Sequence, residues 1–109
     1  MSSEQKKYLI LVVDDSEINR IMLMEMLKNS YDIIEASNGE EAIALIKAYG
    51  YKIDLILLDI VMPVMDGFQM LRIMNQNDWI NHIPVIMISA ESDDSSIKNA
   101  YDLGVTDYI

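Results

Sequence analysis

Tyr8-Leu9-Ile10-Leu11-Val12-Val13-Asp14-Asp15 decides the fold, because it is an unbroken apolar run that ends on two acids. A strand with one wet face alternates apolar and polar residues, whereas a strand covered on both faces is apolar throughout. The run therefore predicts a strand inside a parallel sheet with helices on both sides. Working outward, Ile53-Asp54-Leu55-Ile56-Leu57-Leu58 and Ile83-Pro84-Val85-Ile86-Met87-Ile88 have the same character, and the first of these also runs into an acid, Asp59. Tyr31-Asp32-Ile33-Ile34-Glu35-Ala36 is more mixed, as expected nearer a sheet edge, and Val105-Thr106-Asp107-Tyr108-Ile109 begins a fifth strand.

Helix-period segments separate these runs. Ser16 is placed to cap a first helix reaching about Asn29, with Ile18, Ile21, Met22 and Met26 on one side. Asn38 caps a second, and Glu41 three residues on completes a capping-box pattern. Ala42, Leu45, Ile46 and Tyr49 then recur at the spacing of one buried stripe. Asp66 caps a third helix with Met70, Leu71 and Met74 as its apolar face. Ile97, Ala100 and Tyr101 mark a fourth, which Gly104 is placed to end. Strand–helix alternation predicts an α/β fold, a three-layer, doubly wound sheet of five parallel strands with right-handed crossovers. The first and third strands are expected to be central and adjacent, in the flavodoxin-like order 2-1-3-4-5. Ligands then bind beyond the carboxyl ends of the strands, where the order reverses between the first and the third.

The residues following the central strands are Asp14 and Asp15, then Asp59, then Ser89 and Ala90. The topology brings all of them to one edge. Two carboxylates about 4 Å apart repel by about 4 kcal/mol at an effective dielectric of about 20, so the cluster calls for a cation or for protons. Hard oxygen donors, with no Cys in the chain and no His at these ends, select Mg²⁺, with Mn²⁺ as the alternative. Mg²⁺ held by few protein ligands keeps waters and takes phosphate oxygens into its shell. Ser89 can donate a hydrogen bond to a phosphoryl oxygen, Ala90 leaves it room, and an aspartate beside a metal is a competent nucleophile toward phosphorus.

Composition narrows the classes. At 109 residues the chain corresponds to one domain, and a hydrophobic fraction of 51% is ample for a core. The lack of cysteine excludes disulfides and thiolate metal sites and fits a cytoplasmic protein. No apolar run reaches the roughly 18 residues of a membrane span, and Met1-Ser2-Ser3-Glu4-Gln5-Lys6-Lys7 has no signal-peptide core. A net charge of −10 opposes direct nucleic-acid binding and suits a metal cation or a basic partner.

Asp14-Asp15 after one strand, Asp59 ending another, Met62-Pro63-Val64-Met65-Asp66-Gly67, Ser89-Ala90, and Gly104-Val105-Thr106-Asp107-Tyr108-Ile109 follow one another in the order of a response-regulator receiver domain, which the chain resembles over nearly its whole length. The resemblance implies a two-component phosphorelay switch with self-catalysed phosphotransfer rather than a turnover enzyme. By it Asp59 is the phospho-acceptor, and Asp14 and Asp15 bind Mg²⁺ with Asp59 and the backbone carbonyl of Val61. Ser89 binds the phosphoryl group and Tyr108 turns inward with it, altering the surface of the fourth helix and fifth strand. Val61 and Glu91 flank the site where they tune phosphoryl lifetime. The implied partners are a histidine kinase or phosphotransfer protein and a downstream effector or tethered output domain.

Receiver domains also carry a lysine shortly after the aromatic of the fifth strand, then a fifth helix. These 109 residues end at Ile109 with neither, so residues 1–109 are expected to be a receiver domain incomplete at its C-terminus. Without that helix one sheet face is uncovered, which favours self-association and weakens phospho-acceptance. Two other functions remain open: a phosphohydrolase passing through an aspartyl-phosphate, although its acids usually alternate rather than adjoin as Asp14-Asp15 do, and an interaction domain that keeps the fold without the chemistry. Asp66-Gly67 and Pro63 are expected to shape the loop, Asp93 and Asp94 to cap the fourth helix, and the nine methionines to fill the core. Trp79 is expected to pack under the loop that places His82 in solvent at the opposite sheet edge.

Overall fold

A computed structural model describes residues 7–59, 65–88 and 94–109 of the chain. The elements run β1 (Tyr8–Val13), α1 (Glu17–Leu27), β2 (Tyr31–Ala36), α2 (Gly39–Tyr49), β3 (Leu55–Asp59), α3 (Gly67–Gln76), β4 (Val85–Ile88), α4 (Asp94–Asp102) and β5 (Asp107–Tyr108), with single 3-10 turns at Gly50–Lys52 and Trp79–Asn81. The strands form one sheet in the order β2-β1-β3-β4-β5, and every neighbouring pair is parallel. This is the flavodoxin-like arrangement that the alternation of runs predicts. β3 and β4 start later than their apolar runs: Asp54 precedes β3 and accepts a hydrogen bond from the Leu9 amide at 2.8 Å, while Pro84, which has no N–H to donate, precedes β4.

Helix starts follow the caps. Ser16 Oγ accepts from the Asn19 amide, Asn38 Oδ1 from Glu41, and Asp66 Oδ1 from Gln69, whose side chain returns a bond to the Asp66 amide. Glu41 does not close the same box on α2; its carboxylate reaches one residue further back and accepts from both the amide and the hydroxyl of Ser37 at 2.8 Å. Gly104, at φ +100°, ends the α4 segment where an L side chain is strained, and a Cβ there would lie 2.9 Å from Ile80. Gly39 is needed for closeness instead: a Cβ would meet the Met65 carbonyl oxygen at 2.9 Å.

The two faces of the sheet differ. Leu11, Val13, Ile56, Leu58, Val85 and Met87 are all nearly inaccessible and share one core with Ala42 and Ile46 of α2, Met70, Leu71 and Met74 of α3, and Ala100 of α4. On the other face Leu55, Leu57, Ile86 and Ile88 are only half-buried. Here the structure agrees with the expectation of one uncovered sheet face and corrects the separate reading of β3 and β4 as strands covered on both sides. Their apolar residues alternate in burial, because among the described elements α1 alone lies over this face, near β1 and β2. It also corrects three stripes. The side of α1 carrying Ile18, Ile21, Met22 and Met26 is exposed, and the helix has no buried residue. In α2 the predicted Ala42, Leu45 and Ile46 face the core and Gly39 and Ile43 join them, but Tyr49 is exposed. In α4 Ala100 is buried but Tyr101 is exposed.

At the amino-terminal edge, His82 is less free than a solvated loop residue. It stacks on Tyr51 with ring centroids 4.4 Å apart, and its Nε2 lies 3.4 Å from Asp78 Oδ2. Trp79, half-buried, packs against the core below. Among the described residues no helix is long and apolar enough to cross a membrane.

Candidate metal centre

Sheet register builds the site. β1 and β3 are paired so that Val13 faces Leu58, which makes Asp14 and Asp59 the next residues along two adjacent strands. The chain leaves β1 through Asp14 and Asp15 and enters α1 at its cap Ser16, so both acids lie in a two-residue turn held at each end. One carboxylate oxygen from each of Asp14, Asp15 and Asp59 lies within 4.8 Å of those from the other two. Residues 14, 15 and 59 thus converge as the topology requires.

The three acids have different surroundings. Asp14 is 9% exposed, Asp59 is half-buried and Asp15 faces solvent. Asp14 Oδ1 accepts from the Ser16 amide at 2.9 Å, and Oδ2 faces Asn19 Nδ2 at a long 3.4 Å. The Asp14 amide donates to the Ala36 carbonyl, tying the turn to the end of β2. A small recess at Asp14 and Asp59 is otherwise lined by apolar residues, among them Val12, Leu23, Leu57 and Ile88, while Asp15 faces solvent.

Two unit charges 4.8 Å apart repel by about 3.5 kcal/mol at an effective dielectric of about 20, and by less where Asp15 is solvated. Oxygens around an octahedral ion with bonds of about 2.0–2.1 Å are about 3 Å apart in cis and about 4 Å in trans. Three ligands of one octahedral ion include at least two cis pairs, so the trio has to draw together to share such an ion, and an all-oxygen donor set open to water on one side fits Mg²⁺ or Mn²⁺. Val61, Ser89, Ala90 and Glu91 lie outside the described residues, as do Met62, Pro63, Val64 and Asp93. Tyr108 is described: it is half-buried and packs against the core, with its amide donating to Asp107 Oδ1 at 2.8 Å.

Sequence reasoning missed Asn19, Arg20 and Glu35. Arg20 Nη1 donates to the Asp14 carbonyl at 2.6 Å while its Nε bonds Glu35 Oε1 at 3.1 Å. The available signal was spacing: positions five and six after Asp14 fall on the first turns of α1 and point back at the strand end that precedes it.

A family model described as the response regulator receiver domain matches residues 10–109. The transcriptional regulatory protein ResD of Bacillus subtilis is 39% identical over 101 residues, which are 92% of this chain and 40% of that protein. A probable cyclic di-GMP phosphodiesterase of Vibrio cholerae is 37% identical over 100 residues, 92% of this chain and 22% of that protein. The chain thus spans well under half the length of these two relatives. Among solved structures, the CheX–CheY–BeF3–Mg²⁺ complex from Borrelia burgdorferi superposes with a TM-score of 0.85 at 34% identity, covering 94% of this chain and 76% of that one.

Proposed function

The chain belongs to the response regulator receiver domain family of two-component signal transduction, and from that premise we propose that Asp59 accepts a phosphoryl group at a site completed by Asp14 and Asp15. The observation that carries this reading is the convergence of the three carboxylates on one edge. Such a group of like charges is unfavourable by itself, and a bound cation would relieve it.

Asp14, Asp15 and Asp59, with the Val61 carbonyl, would hold Mg²⁺ or Mn²⁺. When bound, the ion would supply neutralisation of carboxylate and phosphoryl charge. Asp59 supplies the nucleophile: a carboxylate oxygen forms the new O–P bond as the donor's P–N bond breaks, and the imidazole leaves with a proton taken from water. The donor is a phosphohistidine on a kinase or phosphotransfer protein. Ser89 donates to a phosphoryl oxygen, Ala90 leaves the entry open, and Val61 and Glu91 govern access of hydrolytic water. Tyr108 then moves with Ser89, so that the α4–β5 surface reports the state of Asp59 to an effector or output domain. The chain is a cytoplasmic switch that is reset by hydrolysis, not a turnover enzyme. The acids of the turn adjoin and the cation site is shared with the acceptor, which suits single phosphorylation.

Incubation with acetyl phosphate and MgCl₂, read by intact mass, tests this. One phosphoryl addition is expected in the wild type, with none in Asp59→Asn and none when EDTA is present. Equal labelling of Asp59→Asn would remove the assignment. Sustained turnover of a generic phosphomonoester would replace the switch with a hydrolase.

A further inference from the structure

The Asp14–Asp15 turn is held from both sides by the end of β2. The Asp14 amide donates to the Ala36 carbonyl at 3.1 Å, and the Asp14 carbonyl accepts from Arg20 Nη1 at 2.6 Å. The same guanidinium is aimed by Glu35, the residue before Ala36, through its Nε at 3.1 Å. The Arg20 side chain is 15% exposed and that of Glu35 37%, so the guanidinium and its bond to the Asp14 carbonyl are shielded while the Glu35 end of the fork meets solvent. The carbonyl that it grips belongs to the peptide joining the two acids. Rotation of that peptide would swing Asp15 relative to Asp14.

Resting on the reading of Asp14 and Asp15 as cation ligands, we propose that Arg20 is a positioning residue for that site: oriented by Glu35, it fixes the Asp14 carbonyl and so the direction in which the turn presents both carboxylates. A competing effect has the opposite sign. On charge alone, a guanidinium beside a cation site repels the cation, and removing it would tighten binding. Glu35 already pairs with Arg20, and the pair's net charge is zero, so its effect on the cation falls off faster than that of a lone charge. Geometry therefore wins, as it does for outer-shell partners of metal ligands, whose loss commonly weakens metal binding 10- to 100-fold.

Calorimetric titration of MgCl₂ into the unphosphorylated chain measures this without any phosphotransfer. Arg20→Ala is expected to raise the Kd about tenfold. Arg20→Lys keeps the charge but, as a single point donor, cannot serve Asp14 and Glu35 together, and is expected to weaken binding similarly. Glu35→Gln keeps an acceptor oxygen but leaves the guanidinium charge unbalanced, and is expected to weaken binding less than Arg20→Ala does. In the metal-free protein the Asp15 amide nitrogen resonance, which senses what its neighbouring carbonyl accepts, shifts in both Arg20 variants. Wild-type affinity in Arg20→Lys, or unchanged or tighter binding in Arg20→Ala, would overturn the proposal. If Arg20→Ala fails the circular-dichroism check of folding, Arg20→Lys and Arg20→Gln decide. A wild type that takes up no Mg²⁺ would overturn the metal reading itself, whereas wild-type binding matched by both Arg20 variants would overturn only the role of Arg20.

Discussion

Ser37 holds the Glu41 carboxylate with its amide and its hydroxyl, both at 2.8 Å, at the corner where β2 gives way to α2. The amide is the larger cause, the hydroxyl the next, and together they hold the Glu41 carboxyl below the ordinary glutamate range. A group depressed in the folded state is stabilising above its unfolded pKa, and that contribution is lost as pH falls through the folded value. The window therefore opens below about pH 5, where an ordinary glutamate begins to protonate. Ser37→Ala removes the hydroxyl but not the amide, so it is expected to lower stability slightly at neutral pH and to make the acid-side loss shallower. Urea unfolding at a series of pH values between about 5 and about 3 measures the slope, and a variant as steep as wild type would show that the hydroxyl bond is unimportant. The same corner shows how single residues carry site geometry. Ala36, next to Ser37, accepts from Asp14, and Gly39 lies against the Met65 carbonyl in the segment that leads to α3.

Helices α1 and α3 both carry several large apolar side chains and have opposite fates, which gives a direct test of which faces are core. Leu71 of α3 is fully buried, whereas Ile21 of α1 is 51% exposed. Leu71→Ala is expected to cost about 2–5 kcal/mol through lost contacts and a cavity, and Ile21→Ala less than about 0.5 kcal/mol. Urea denaturation of the two variants checks both, and comparable losses would mean that α1 is covered in solution. Strand count, order and three caps were legible from Tyr8–Val13, Ser16, Asn38 and Asp66, because run length, strand-end acids and capping chemistry are local signals. Helix phase was less so. In α2 the predicted Tyr49 and the observed Ile43 each fit a 3.6-residue period, and only packing against α3 distinguishes them. The apolar runs of β3 and β4 alone overstate their burial, because apolar content says what a face prefers, not whether another element reaches it; the expectation of one uncovered face agrees with their alternating burial. The acid site was legible for the same reason as the sheet: strand ends carry Asp14, Asp15 and Asp59. The Arg20–Glu35 fork was not, since it joins a helix to an edge strand 15 positions apart.

At the scale of the molecule, an apolar face and a large negative charge act against each other. A groove lined by Met22, Leu23 and Met26 of α1 and by Ile88 of β4 runs up to Asp14 and Asn19, and Ile88 shares its sheet face with the half-buried Leu55, Leu57 and Ile86. Apolar surface of this extent gains about 25 cal/mol for each Å² removed from water, which favours burial against a second copy of the chain. Against it stands a net charge of −10 on each copy. The repulsion is long-ranged and screened, whereas burial is short-ranged and is not weakened by salt. The Debye length falls from about 30 Å at 0.01 M salt to about 3 Å at 1 M, so the balance is set by ionic strength. The 109-residue chain is therefore expected to sediment as a monomer in dilute buffer and to associate as salt rises. Replacing both groove methionines, Met22→Glu with Met26→Glu, should keep it monomeric throughout, because like charge is then placed within the face itself. Sedimentation velocity across the salt series tests this. A wild type that stays monomeric at high salt, or a double variant that associates as readily, would mean that the groove does not drive self-association.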